Sequence, residues 1–258
     1  MPFLKSPEYS KIPNWLVSTP IAHRGLHDLN AGIAENSLTS FRAAMTKGLA
    51  IELDVRFSRD EVPVVFHDED LMRLTGAQGK LAGKLLSELN KLQLLGTKDS
   101  IPSLSEVLEL VQGQVPLVIE IKSTQLPRER AVSIICKLLQ HYEGDFCIQS
   151  FDPFILRGFT RKAPQILRGQ LGMKSPPSSL PRLKRLMIRH MPFNWLVNPD
   201  YIGYDISDID YLTINGKRKH KQPLLAWTVQ NQSDLEKAKL YADNVIFEKL
   251  STDLVKSR

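Results

Sequence analysis

At 258 residues, 42% of them hydrophobic and 24% charged, the chain is long enough for a sizeable core and too apolar to be disordered. A formal charge of +6 suits an anionic partner, yet no run approaches the roughly 18 apolar residues of a membrane span. Two cysteines, Cys136 and Cys147, lack metal-ligand spacing; such low use fits a reducing compartment, and one disulfide stays open.

The first twenty residues carry charges and prolines without an apolar h-region, so the expectation is a cytoplasmic chain with no signal peptide. "PIAHRG" (20–25) reads as a strand, followed by a helix over 36–48 with Asn36 as N-cap and Gly48 as stop. Strands follow at 49–57 ("LAIELDVRF") and 62–67 ("VPVVFH"), separated by only "SRDE". A parallel crossover needs a dozen or more residues, so these two must form an antiparallel hairpin. A turn centred near Arg59–Asp60 gives a residue sum near 119 and sets His67 roughly opposite Glu52.

Residues 68–101, with four glycines, read as an insertion above the main body, partly helical over 81–96. Beyond it, strands at 115–123, 146–151, 165–171, 201–205, 223–229 and 244–248 alternate with helical segments at 103–113, 127–142, 152–163, 179–191 and 231–242. Ser103 and Asp152 have the character of N-caps, and Gly113 that of a stop. Repeated β-then-α order predicts a parallel sheet. Eight units predict an α/β fold of the TIM (β/α)8 type, with a β-hairpin arm after the second strand and a short insertion, as a single domain over 1–258. Three basic runs, "RKAPQILRG", "PRLKRLMIRH" and "NGKRKHK", read first as solvated faces, with phosphate or anionic-lipid attraction as the lesser reading.

Side chains at i and i+2 of a strand share a face, so Glu52 pairs with Asp54, and Glu120 with Lys122. Both pairs fall near the C-terminal ends of their strands, where a barrel assembles its site, and His23 and Arg24 end the first strand. Three carboxylates without a cysteine make a hard oxygen site suited to Mg²⁺ or Ca²⁺. Arg24 and Lys122 beside such an ion suggest a phosphoryl ligand, with His23 and His67 available as an acid–base pair, His23 preferred as base and His67 as acid. Taken singly, each residue has a structural reading, a strand ion pair or a satisfied histidine; their convergence on three strand ends is what points to a site.

The run of HRG, the EN before the first helix, E-x-D-V, and the HD after the hairpin resembles the glycerophosphodiester phosphodiesterases. "IPSLSEVL", "LVIEIK", "QSFDPFIL" and "LLAWTV" match further landmarks of that family in order, so the likeness extends from Ile21 to about Glu248. It implies a divalent metal, Mg²⁺ or Ca²⁺, on Glu52, Asp54 and Glu120, with His23 and His67 as the acid–base pair and Arg24 and Lys122 on the phosphate. Trp227 resembles the family's aromatic wall, and Gln149, Phe151 and Gln170 are further candidates for the pocket. The implied substrate is a small glycerophosphodiester, with no nucleic acid partner and no stable membrane insertion; lysophospholipids are the alternative. An H-x-H on the first strand, the mark of a binuclear amidohydrolase, is replaced here by H-R-G.

Two features depart from the family pattern. "NVIFEKL" stands where a T-D-x-P motif is common, leaving Glu248 near the mouth as a structural ion pair or a site residue, and Phe247 as a candidate barrel lining. "SRDEVP" lacks the glycine that often follows the aspartate of the hairpin turn. His27 and Asp28 read as loop residues, while Tyr204 and Asp205 end a strand without an assigned role.

Overall fold

The computed structural model describes residues 12–209 and 222–257. Eight parallel strands close into a barrel: β1 (Ile21–Ala22), β2 (Ala50–Phe57), β4 (Leu117–Ile121), β5 (Phe146–Ser150), β6 (Leu167–Gly172), β7 (Tyr201–Asp205), β8 (Leu224–Val229) and β9 (Asn244–Phe247). Closure falls at β1, where Ile21 lies beside Ala50 on one side and Ile246 on the other. β3 (Pro63–Val65) is the ninth strand, antiparallel to the far end of β2, so the hairpin arm forms as the short connection requires. This is the TIM architecture.

The hairpin register differs by one residue from the sequence expectation. Val55 faces Val65 and Phe57 faces Pro63, a sum of 120, and the Phe66 amide donates to the Asp54 carbonyl. His67 therefore does not stand opposite Glu52. The reason is the turn, which centres on Asp60 and adds Glu61 in the left-handed region at φ 63°. That is the position where a glycine would be free of steric cost; here the residue costs about 1 kcal/mol and its carboxylate is held by Arg130 at 2.7 Å.

Along each strand the period of two sorts side chains into layers. Ile21, Ala50, Val118, Cys147, Tyr201, Leu225 and Ile246 point inward and form one apolar cluster with Trp15 and Leu16. The short helix Trp15–Ser18 closes the N-terminal end, where Asn244 Nδ2 donates to the carbonyls of Leu16 and Thr19. Tyr201 fits because its neighbour is Gly169, where a Cβ would lie 2.2 Å from the ring. The alternate residues, including Ile51, Leu53, Leu117, Ile119, Ile148, Ile202, Tyr204 and Phe247, face outward into the core shared with the helices. Phe247 and Tyr204 thus belong to the helix layer and not to the barrel interior.

The helix signals resolve in particular ways. Ser103 caps Leu104–Val111 with a reciprocal bond to Glu106, and the helix buries Leu104, Val107, Leu108 and Val111 at i, i+3, i+4 and i+7. Asp152 caps Pro153–Lys162 through the Phe154 amide. Asn36 is not an N-cap: Ser37 caps Leu38–Thr46, and Asn36 precedes it at φ 54°. The 68–101 segment folds as short turns of helix at Met72–Thr75, Leu81–Gly83 and Leu86–Leu89. Leu71, Leu74, Leu81, Leu89, Leu94 and Ile101 there share a separate apolar cluster with Val64 and Phe66 of the hairpin arm. Cys136 and Cys147 are free thiols and form no disulfide. The basic run "NGKRKHK" lies outside the described residues.

Candidate active site

Two residues beyond six of the seven strand members of the inward apolar cluster, the same strands carry polar or aromatic groups; Tyr201, followed by Gly203, is the exception. Ile21 leads to His23, Ala50 to Glu52, Val118 to Glu120, Cys147 to Gln149, Leu225 to Trp227 and Ile246 to Glu248. Alternation alone therefore turns a packed floor into a reactive upper layer. His23, Arg24, Glu52, His67, Glu120, Lys122 and Trp227 line one cavity of about 190 Å³, together with Gln149, Phe151 and Met173. Phe151 meets Trp227 edge-on, with ring centroids 5.5 Å apart. Gln170 is elsewhere: its amide donates to the carbonyls of Ser150 and Leu171.

Beneath this cavity, carboxylate oxygens of Glu52, Asp54 and Glu120 lie within 4.8 Å of one another, all three side chains buried. Lys122 Nζ bridges two of them, at 2.8 Å from Asp54 and 2.6 Å from Glu120. Arg24 Nε reaches Asp54 at 3.1 Å, and the Arg24 amide donates to Glu52. That amide is aimed by a tight turn in which both Arg24 (φ 55°) and Gly25 (φ 78°) are left-handed. A Cβ on Gly25 would lie 2.4 Å from Ser40 Oγ, so the turn admits no side chain there.

These charges set one another's protonation. Burial, reinforced by Asp54 and Glu120, raises the Glu52 carboxyl well above the usual range. Burial likewise raises Glu120 despite Lys122 beside it. For Asp54 burial is outweighed by Lys122 and Arg24, which hold it well below the usual range. Lys122 stays charged because Asp54 and Glu120 outweigh its own burial. Three carboxylates against two cations leave a negative charge in a buried site, and a proton retained on Glu52 relieves it. The donor set fits a hard divalent ion in that proton's place: oxygen ligands only, no thiolate, and a buried negative charge to be neutralised.

Each histidine is oriented through Nδ1. His23 Nδ1 lies 2.6 Å from Glu248 Oε2, and His67 Nδ1 lies 2.7 Å from Asp68 Oδ1. A carboxylate on Nδ1 fixes the proton there and leaves Nε2 as the acceptor. Burial lowers the His23 pKa, opposed by the Glu248 hydrogen bond. Burial and the Lys122 charge push His67 down to about 4. Glu248 is held far below the usual carboxylate range because hydrogen bonds from His23 and His27 outweigh its burial. It also accepts from Gln230 at 2.9 Å and forms an ion pair with Lys249 at 3.3 Å. The ion pair of Glu248 is thus made with a cavity residue, and His27, read as a loop residue, reaches the same carboxylate at 3.3 Å.

Two features escaped the sequence reading. Asn36 donates to Asp54 Oδ2 at 2.8 Å and accepts from the Asp54 amide, so the asparagine of the EN pair fixes a carboxylate rather than a helix end. An ion-pair chain then runs outward from Arg24 to Glu35 at 2.7 Å, from Glu35 to Arg73 at 2.8 Å, and from Arg73 to Asp68 at 2.5 Å, ending on His67. Glu35 was visible as half of the EN pair; Arg73, inside the insertion, had no sequence signal. Tyr204 packs outward, and Asp205 caps a short 3-10 turn through the Ser207 amide.

Comparison with known proteins places this geometry. Residues 23–253 match the model of the glycerophosphoryl diester phosphodiesterase family. A glycerophosphodiester phosphodiesterase of Caldanaerobacter subterraneus subsp. tengcongensis is 31% identical over 230 residues, spanning 84% of this chain and 88% of that protein. Among solved structures, a phosphodiesterase of Oleispira antarctica in complex with the product sn-glycerol-3-phosphate has a TM-score of 0.73 at 24% identity, covering 93% of this chain and 94% of the other. A glycerophosphodiester phosphodiesterase of Thermotoga maritima has a TM-score of 0.68 at 25% identity, covering 93% and 96%.

Proposed function

We infer that this chain, which belongs to the glycerophosphoryl diester phosphodiesterase family, hydrolyses glycerophosphodiesters to glycerol 3-phosphate and an alcohol. The observation that carries the reading is the convergence on one cavity of two histidines and two cations above three buried carboxylates. Glu52, Asp54 and Glu120 would hold a divalent ion, Mg²⁺ or Ca²⁺. When bound, it supplies positive charge to a phosphoryl oxygen and stabilises the charge that develops there. With that ion held, the three carboxylates, Arg24 and Lys122 would leave one net positive charge, which one phosphodiester anion would offset.

Arg24 and Lys122 bind the phosphate from the protein side. His23, neutral and held by Glu248, takes the proton of the glycerol hydroxyl next to phosphorus as that oxygen attacks. His67 protonates the departing alcohol, and water then opens the cyclic phosphate. His67 is depressed by burial and by Lys122, so a phosphate anion beside Lys122 favours its protonated form. Trp227 and Phe151 form an apolar wall for the carbon skeleton; the Trp227 indole nitrogen has no hydrogen-bond partner among the described residues.

The test is a panel of glycerophosphodiesters and lysophospholipids assayed for glycerol 3-phosphate or lysophosphatidate, with and without chelator. Chelator-sensitive release of glycerol 3-phosphate is expected, and His23→Ala should abolish it while melting within a few degrees of the parent. Near-normal turnover in that variant would exclude the role given to His23.

A further inference from the structure

One feature of the molecule is left unused by this chemistry. Between Pro153 and Pro199 the chain carries nine lysines and arginines and no aspartate or glutamate, although the whole chain has a net charge of only +6. The remainder is therefore net acidic, although it holds the basic run at 217–221. Arg168 is buried against Asp200, but four of the nine stand on one short helix, Arg182–His190, sequence RLKRLMIRH. Ile188 packs inward, and the opposite face carries Leu183, Leu186 and His190, flanked by Arg182 and Arg189; these and Arg185 are all exposed.

Its leucines are what a merely solvated basic face does not explain. Leu183 is 71% exposed and Leu186 is 46% exposed, and Trp195, in the next short helix Asn194–Val197, is 75% exposed. Large apolar groups flanked by arginines are the signature of a helix that lies in an interface, apolar side in the acyl boundary and cations at the head groups. Nucleic acid would satisfy the arginines and leave the leucines wet. A second copy of the chain would cover the leucines but set the same basic region against itself.

The location gives the surface a purpose. Lys184 Nζ donates to Ser123 Oγ, one residue past Lys122. Leu183, Lys184, Met187 and Ile188 border a groove of about 430 Å³ that also meets Phe151, a wall of the catalytic cavity. The helix thus stands at the same end of the barrel as the cavity mouth. No described helix is long and apolar enough to cross a membrane, so attachment would be peripheral.

We propose that the Arg182–His190 helix, with Trp195 beyond it, docks the catalytic mouth onto an anionic phospholipid surface. The partner is the bilayer itself, recognised by clustered negative charge and by an apolar layer within a side-chain length of it.

The experiment is cosedimentation of the full chain with phosphatidylglycerol–phosphatidylcholine vesicles and with phosphatidylcholine vesicles alone, at low and raised salt. Binding is expected to the anionic vesicles only and to weaken with salt. The double variant Leu183→Ser/Leu186→Ser should bind at least tenfold more weakly while hydrolysing soluble glycerophosphocholine at the parent rate. Trp15 and Trp227 are at least largely buried, so a blue shift of tryptophan emission on binding should vanish in Trp195→Phe. Absence of binding to anionic vesicles, equal binding to neutral ones, or unchanged binding by the double variant would overturn the proposal. So would a dimer that the leucine substitutions dissociate. Vesicle binding is read without turnover, so its failure leaves the proposed hydrolysis untouched, and the converse holds.

Discussion

Replacement of Glu248 by glutamine separates a positioning role from a structural one. Every neighbour of this carboxylate is able to donate: His23 and His27 on Oε2, Gln230 and Lys249 on Oε1. A glutamine has one acceptor oxygen and one NH₂, so it must turn the NH₂ on one of these pairs. Turned inward, it forces His23 Nδ1 to accept and moves the imidazole proton to Nε2, the wrong tautomer for a base. Turned outward, it keeps the tautomer but loses the charge that stabilises the imidazolium. A charge-assisted hydrogen bond is worth about 1.5–3 kcal/mol. At 1.36 kcal/mol per decade, its loss lowers kcat by roughly 10- to 150-fold, and a tautomer switch extends this toward about 10⁴.

Glu248 raises the His23 pKa, so its removal lowers that pKa further. His23 must be neutral to act as base, and the acid limb of the kcat profile should therefore move to lower pH. The assay is glycerol 3-phosphate release over pH 4 to 9, with KM expected within threefold of the parent and the circular-dichroism melt as a folding control. A Glu248→Gln enzyme within threefold of parental kcat, its acid limb unmoved, would reduce Glu248 to a surface ion pair.

Other perturbations read the carboxylate cluster. Divalent ions should raise the melting temperature, chelator should reverse this, and the rise should be larger at pH 8 than at pH 6. The sign follows because the raised Glu52 carboxyl must lose its proton on binding, up to roughly tenfold in apparent affinity per pH unit for one proton; a rise that shrinks with pH would contradict the assignment. Asn36→Ala removes both hydrogen bonds to Asp54 and sets a β-carbon-only residue at φ 54°, a combined cost of about 2–4 kcal/mol measurable by urea unfolding. A loss below about 1 kcal/mol would show that Asp54 holds its place without the amide.

The barrel was legible because it is written in local patterns. Strand runs and capped helices alternate, and the four-residue gap at "SRDE" permits only a hairpin. The carboxylate trio was legible for the same reason, since i and i+2 on a strand share a face whatever surrounds them. What stayed hidden depends on long-range register or on groups that have no periodicity. The one-residue shift of the hairpin came from a left-handed Glu61, which a sequence does not announce as a glycine would. Asn36 has the residue type of a cap and lies one position before the serine that caps. Arg73 finds Glu35 and Asp68 only after the insertion has packed against the hairpin arm.

That last contact ties the insertion to the site. One chain of alternating charges ties it through Arg73 to the carboxylate floor on one side and to His67 on the other. A head group bulky enough to lift the segment would drag His67, the proposed proton donor, out of place without moving Arg24 and Lys122, the proposed phosphate anchors. Discrimination by size would then be exercised in turnover and not in affinity, seen across a head-group series as falling kcat at steady KM.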